Sequence, residues 1–123
     1  MILDTCFLID VERKKSNSLA FLEENANEPL CIAAITVGEL ALGFERSDQP
    51  RLMTQLRHFQ ILDVTPEVAF SYSSAYRRLH QAGRMIGTND LWIAAVGLAN
   101  HLPVVTRNVE EFTRVPGLKV IGY

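Results

Sequence analysis

Short apolar runs and longer helical stripes alternate along the chain. The runs are Met1–Leu3, Leu30–Ile35, Ile61–Val64, Pro103–Thr106 and Leu118–Ile121, each too short for a helix and bounded by turn or cap residues. Between them lie apolar positions spaced three and four apart, which predict helices. Val37, Leu40, Ala41 and Phe44 form one such stripe; Val68, Ala69, Tyr72, Ala75, Tyr76 and Leu79 form a second. Thr65-Pro66 opens the second helix and Gly83 stops it. Leu91, Ala94, Ala95, Leu98, Ala99 and Leu102 make a third stripe, and Trp92, Ile93 and Val96 fill its other side, so this helix is expected at the centre of the fold.

Strands that alternate with helices predict an α/β fold: a mostly parallel central sheet with helices on both faces. No repeat, low-complexity tract or Ser/Gly linker interrupts the pattern, so residues 1–123 read as a single domain. In parallel sheets, ligands collect beyond the carboxyl ends of the strands, near the point where strand order reverses. That rule singles out Asp4, which follows the first strand immediately.

Three other polar positions fall at the same edge. Glu39 in TVGEL and Asp90 in TNDLWIAA sit in the first turns of helices, and Asn108 in VVTRNVEEF lies just beyond the fourth strand. Each has an ordinary structural explanation. Thr36 with Glu39 fits a capping box, Asp90 suits the positive end of a helix dipole, Asp4 suits a turn and Asn108 an N-cap. Taken together they suggest more. Carboxylates that converge repel one another, and a cation relieves that repulsion. Hard oxygen ligands without a His/Cys cluster favour Mg²⁺, or Mn²⁺, over zinc.

The stretches LDTCFLID, TVGEL, TNDLWIAA and VVTRNVEEF, in this order and followed by FTRVPGLKVIGY, resemble the PIN-domain ribonucleases over essentially the whole chain. Within that family they most resemble the VapC-type toxins of bacterial and archaeal toxin–antitoxin pairs. The resemblance implies a PIN-like parallel α/β sandwich, Mg²⁺-dependent endonucleolytic cleavage of RNA, a small VapB-type antitoxin as partner and a homodimer. It also implies that Asp4, Glu39 and Asp90 are the catalytic, metal-binding acids and that Asn108 holds the fourth, variable position. Thr5 and Thr106 match the family's hydroxyl residues beside the site. Many relatives carry aspartate where this chain has Asn108; the amide offers a carbonyl oxygen but no negative charge. Asp4 and Asp90 are therefore the expected principal ligands, with Glu39 on a second ion or on the attacking water, and Glu111 is a possible substitute acid. A catalytically weakened module that binds RNA or a partner is the rival reading. A phospho-accepting receiver domain fails, because no acid adjoins Asp4 and Lys119 lies early in its strand.

Composition narrows the picture without adding chemistry. Apolar residues make up 48% of the chain and charged residues 21%, which suits a packed globule. A net charge of −2 excludes a uniformly basic nucleic-acid coat, so RNA contacts must be local. Arg13, Lys14 and Lys15 are the first candidates because they follow soon after Asp4; Arg46, Arg51, Arg77, Arg78 and Arg84 are others. Asp10 and Asp63 read as surface or loop acids, and Trp92 as a core or interface residue. Cys6 and Cys31 read as buried free thiols of a cytoplasmic protein with neither a signal peptide nor a membrane span.

Overall fold

The computed structural model describes residues Met1–Tyr123. Five strands form one sheet: β1 (Ile2–Leu3), β2 (Cys31–Ala33), β3 (Gln60–Leu62), β4 (Val104–Val105) and β5 (Val120–Ile121). Their spatial order is β3-β2-β1-β4-β5, and every pairing is parallel. The sheet is thus wholly parallel. The chain builds outward from β1 to β3, then crosses back to lay β4 on the other side of β1. Strand order reverses between β1 and β4, which opens a crevice beyond their carboxyl ends.

Seven helices cover the two faces: α1 (Thr5–Glu12), α2 (Ser16–Glu24), α3 (Ala34–Ala41), α4 (Gln49–Leu56), α5 (Pro66–Ala82), α6 (Thr88–Asn100) and α7 (Val109–Phe112). Successive side chains on a strand point to opposite faces. Ile2, Cys31, Ala33 and Val104 therefore pack toward α5 and α6, among Val68, Leu79, Leu91 and Ile93. Leu3, Ile32 and Val105 pack the other way, against Phe7 and Leu8 of α1 and Leu52 and Leu56 of α4. Ile93, Ala94, Ala95 and Val96 are fully buried, so α6 is the central helix its all-round apolar sequence predicts. Thr65 Oγ1 accepts the Val68 N–H at the start of α5, and Gly83 ends it at φ 65°, a left-handed turn that glycine enters without a Cβ penalty. No helix is long and apolar enough to cross a membrane.

The structure differs from the sequence pattern at the β2–α3 junction. The run predicted over Leu30–Ile35 is strand only through Ala33, because α3 begins at Ala34. Thr36 therefore sits inside the first turn rather than at the cap, and it is fully buried. No capping box forms there. Helices α2 and α4 also lie where the traced apolar stripes do not reach.

Candidate active site

Asp4 is the pivot. It follows β1, caps α1 with an extended backbone (φ −67°, ψ 155°), and is only 2% exposed. A buried carboxylate is costly unless its lone pairs are filled. Here Oδ1 accepts the Thr5 N–H at 2.7 Å, while Oδ2 accepts from Thr106 Oγ1 at 2.8 Å and from Cys6 Sγ at 2.9 Å. Thr106 is fully buried at the end of β4, and its hydroxyl also accepts the Asn108 N–H at 3.0 Å. A backbone amide of the β4–α7 loop is thereby tied to Asp4 through one hydroxyl.

Glu39 is fixed in the same manner from α3. Thr5 Oγ1 lies 2.7 Å from Glu39 Oε1 and 3.2 Å from Thr36 Oγ1. A hydroxyl has one proton and an ionised carboxylate can only accept, so Thr5 donates to Glu39 and Thr36 donates to Thr5. Thr36 thus supports the site from its buried position, a role its capping-box spacing conceals.

Asp90, half-buried in the first turn of α6, faces the remaining acids. Burial pushes its carboxyl up from 3.8 to about 6, and the negative charges of Asp4, Glu111 and Glu39 push in the same direction. It also lies within hydrogen-bonding reach of Glu111. Four acids from α1's cap, α3, α6 and α7 therefore share one field. Asn108 caps α7 with its backbone; its side chain makes no cap bond and it is exposed. Glu110 turns outward and pairs with Arg114 at 3.5 Å, leaving Glu111 as the α7 acid at the cleft.

The donor set suits a hard divalent cation: carboxylate oxygens, one amide and no imidazole. No three acidic, histidine or cysteine side chains are grouped so as to hold a metal ion by themselves. Magnesium is commonly held by one or two carboxylates, with water and substrate oxygens completing the octahedron. Asp4, with oriented oxygens, and Asp90, under repulsion from three sides, are the groups a cation would satisfy first.

Several polar residues near the cleft depart from the sequence reading. Asp10 is no surface acid: it is 2% exposed, accepts from Arg107 Nη1 at 2.8 and 2.9 Å, and accepts from the Tyr123 hydroxyl at 2.8 Å. Burial and the bond to Asp10 hold the Tyr123 phenol protonated. Cys6 is half-buried beside Asp4, and burial together with that carboxylate raises its thiol pKa. Arg13, Lys14 and Lys15 are exposed, but the eight residues of α1 carry them about 12 Å from Asp4. Cys31 is a buried free thiol, Asp63 is exposed, and Trp92 stacks on Tyr72 at 3.9 Å between ring centroids.

Comparison with known proteins agrees with this architecture. The PIN domain family model matches residues 1–118. Ribonuclease VapC2 of Haemophilus influenzae is 34% identical over 124 residues, covering 96% of this chain and 93% of its own length. The tRNA(fMet)-specific endonuclease VapC of Salmonella typhimurium is 32% identical over 96 residues, 74% of this chain and 73% of its own. Among solved structures, VapBC2 of Rickettsia felis, bound to a DNA fragment from its promoter, superposes with a TM-score of 0.86 at 28% identity, covering 99% of this chain and 97% of that one. The chain belongs to the PIN-domain family and, within it, to the VapC ribonucleases.

Proposed function

We propose that this chain is a Mg²⁺-dependent endoribonuclease, the cytoplasmic toxin of a VapBC-type pair, and that Asp4, Glu39, Asp90 and Asn108 carry the reaction. The observation that supports this most is the gathering of acids at the β1–β4 switch point, where burial, and after it the charges of Asp4, Glu111 and Glu39, raises the Asp90 carboxyl. Asp4 and Asp90 would hold the ion, and the Asn108 carbonyl oxygen would complete the protein's share. When bound, the ion supplies positive charge for the phosphate oxygens and a more acidic water. Glu39, oriented by Thr5, would align the attacking water and take its proton as the new P–O bond forms and the ester oxygen opposite leaves with the electron pair of the broken P–O bond. Thr106 keeps Asp4 from rotating, and Cys6 adds a second donor to the same oxygen. Glu111 contributes the negative charge that Asn108 lacks, which weighs against a weakened, binding-only module.

The Salmonella relative's name makes transfer RNA the first substrate to try. The Rickettsia neighbour is a toxin–antitoxin complex, and a VapB-type antitoxin is the partner we assign. An apolar groove of about 280 Å³ between α1, α3 and α4, with Leu40, Phe44 and Phe59 in its wall, suits such a partner. Phe70 on α5, 72% exposed, is our candidate contact for a homodimer.

Incubating the pure protein with total RNA in Mg²⁺, in chelator, and as Asp4→Asn tests the proposal. Cleavage should require Mg²⁺, and Asp4→Asn should lose at least about a hundredfold in rate while keeping its circular dichroism, because it removes a ligand charge without a packing atom. A folded Asp4→Asn protein that still cleaves would overturn the assignment.

A further inference from the structure

The acids that suit a cation repel the phosphates of a bound RNA, so the strand must be gripped at the rim of the cleft. Arg107 stands at that rim, between Thr106, which bonds Asp4, and Asn108, which caps α7. Its partner Asp10 has a side chain 3% exposed and takes no part in the mechanism above. Both Asp10 oxygens accept from the single nitrogen Nη1, at 2.8 and 2.9 Å, and Tyr123 adds a third bond at 2.8 Å. A guanidinium carries five N–H donors in a rigid plane. Asp10 occupies only the Nη1 end, and the arginine side chain is 54% exposed. The buried carboxylate thus holds the guanidinium by its Nη1 end and leaves Nε and Nη2 without a protein hydrogen-bond partner, donors that can face a phosphate.

The Arg107 guanidinium is held at Asp10, and a chain of contacts runs from Asp10 to Asp4: the Tyr123 hydroxyl is 2.8 Å from Asp10 and 3.8 Å from Cys6 Sγ, which is 2.9 Å from Asp4 Oδ2. We propose that Arg107, anchored by Asp10 and Tyr123, binds a backbone phosphate of the RNA flanking the scissile one. Asp10 is then a positioning residue. This inference rests on the ribonuclease reading above, and the following experiment separates the two.

Binding of fluorescein-labelled bulk transfer RNA is measured across a salt series, with Ca²⁺ replacing Mg²⁺ at fixed concentration. The proteins are wild type, Arg107→Lys, Arg107→Gln and the double variant Asp10→Asn/Arg107→Gln. The double variant leaves no charge buried alone, so it carries the test if Arg107→Gln fails to fold. Arg107→Gln and the double variant should bind about tenfold more weakly, with the slope of log K against log salt shallower by about one. Arg107→Lys should keep the slope yet lose about threefold in affinity, because an ammonium cannot present the planar fork. An unchanged slope in the double variant, or a wild-type protein that binds no RNA, would refute the proposal. Arg107-dependent binding by a protein that never cleaves RNA in Mg²⁺ would sink the nuclease reading alone. Mg²⁺-dependent cleavage with binding indifferent to Arg107 would do the reverse.

Discussion

One hydroxyl sets how Asp4 points. Thr106 Oγ1 donates to Asp4 Oδ2 and accepts from the Asn108 backbone, so it couples an acid after β1 to the loop after β4. Thr106→Val keeps the shape of the side chain and deletes both bonds. It should lower cleavage by about 10- to 100-fold, the usual cost of losing a group that orients a ligand, with a folded spectrum by circular dichroism. Activity within about threefold of wild type would mean that Asp4 is oriented by its other two donors. At this scale the sequence was most informative about acids and least about their supports. Asp4, Asp90 and Asn108 could be placed because each adjoins a strand end or helix start. Thr36 could not, since its inward turn depends on α3 starting at Ala34 instead of at Thr36. Asp10, Arg107 and Tyr123 are separated by 97 and 113 positions, and no local pattern announces such a pairing.

At the scale of elements, α6 must lie close to β4 to bring Asp90 to the cleft. Gly97 permits it. A Cβ there would stand 3.0 Å from the Leu102 carbonyl oxygen and 3.1 Å from both Val104 Cγ2 and Leu118 Cδ1. Gly97→Ala should therefore destabilise the fold by about 1–3 kcal/mol, as overpacked cores do, read as a lower urea midpoint at unchanged m. A stabilised Gly97→Ala protein would show that helix propensity outweighs the crowding. Helices α5 and α6 were legible because their stripes are long and their ends carry Thr65-Pro66 and Gly83. The direction of α1 mattered as much as its existence: its eight residues set Arg13–Lys15 about 12 Å along the helix axis from Asp4.

For the molecule as a whole, the acid cluster links stability to pH and, on the proposed function, to metal. Asp90 has a pKa of about 6 in the folded chain against 3.8 ordinarily. Between those values the folded state binds more protons than the unfolded one, so this group's contribution to stability falls as pH rises through the window. Asp90→Asn removes the effect. In chelator, its melting temperature should exceed that of wild type at pH 7.5 and match it more nearly at pH 4. On the proposed function, Mg²⁺ should raise the wild-type melting temperature at pH 7.5, where Asp90 is ionised, and raise it less at pH 5, where Asp90 is largely protonated. Calorimetry at the two pH values checks both statements, and a Mg²⁺ shift that is equal at both would count against a carboxylate site.

The sequence by itself determined the alternation of elements, the parallel sheet and the edge at which the acids stand, because strand and helix periods and cap positions are local properties. Only the folded chain decided that β4 returns beside β1, that Asp4, Glu39, Asp90 and Glu111 share one field, and that Asp10 is buried under Arg107 and Tyr123. Those outcomes depend on which side of β1 the fourth strand takes, a choice made by packing across the whole sheet that no short window of residues encodes.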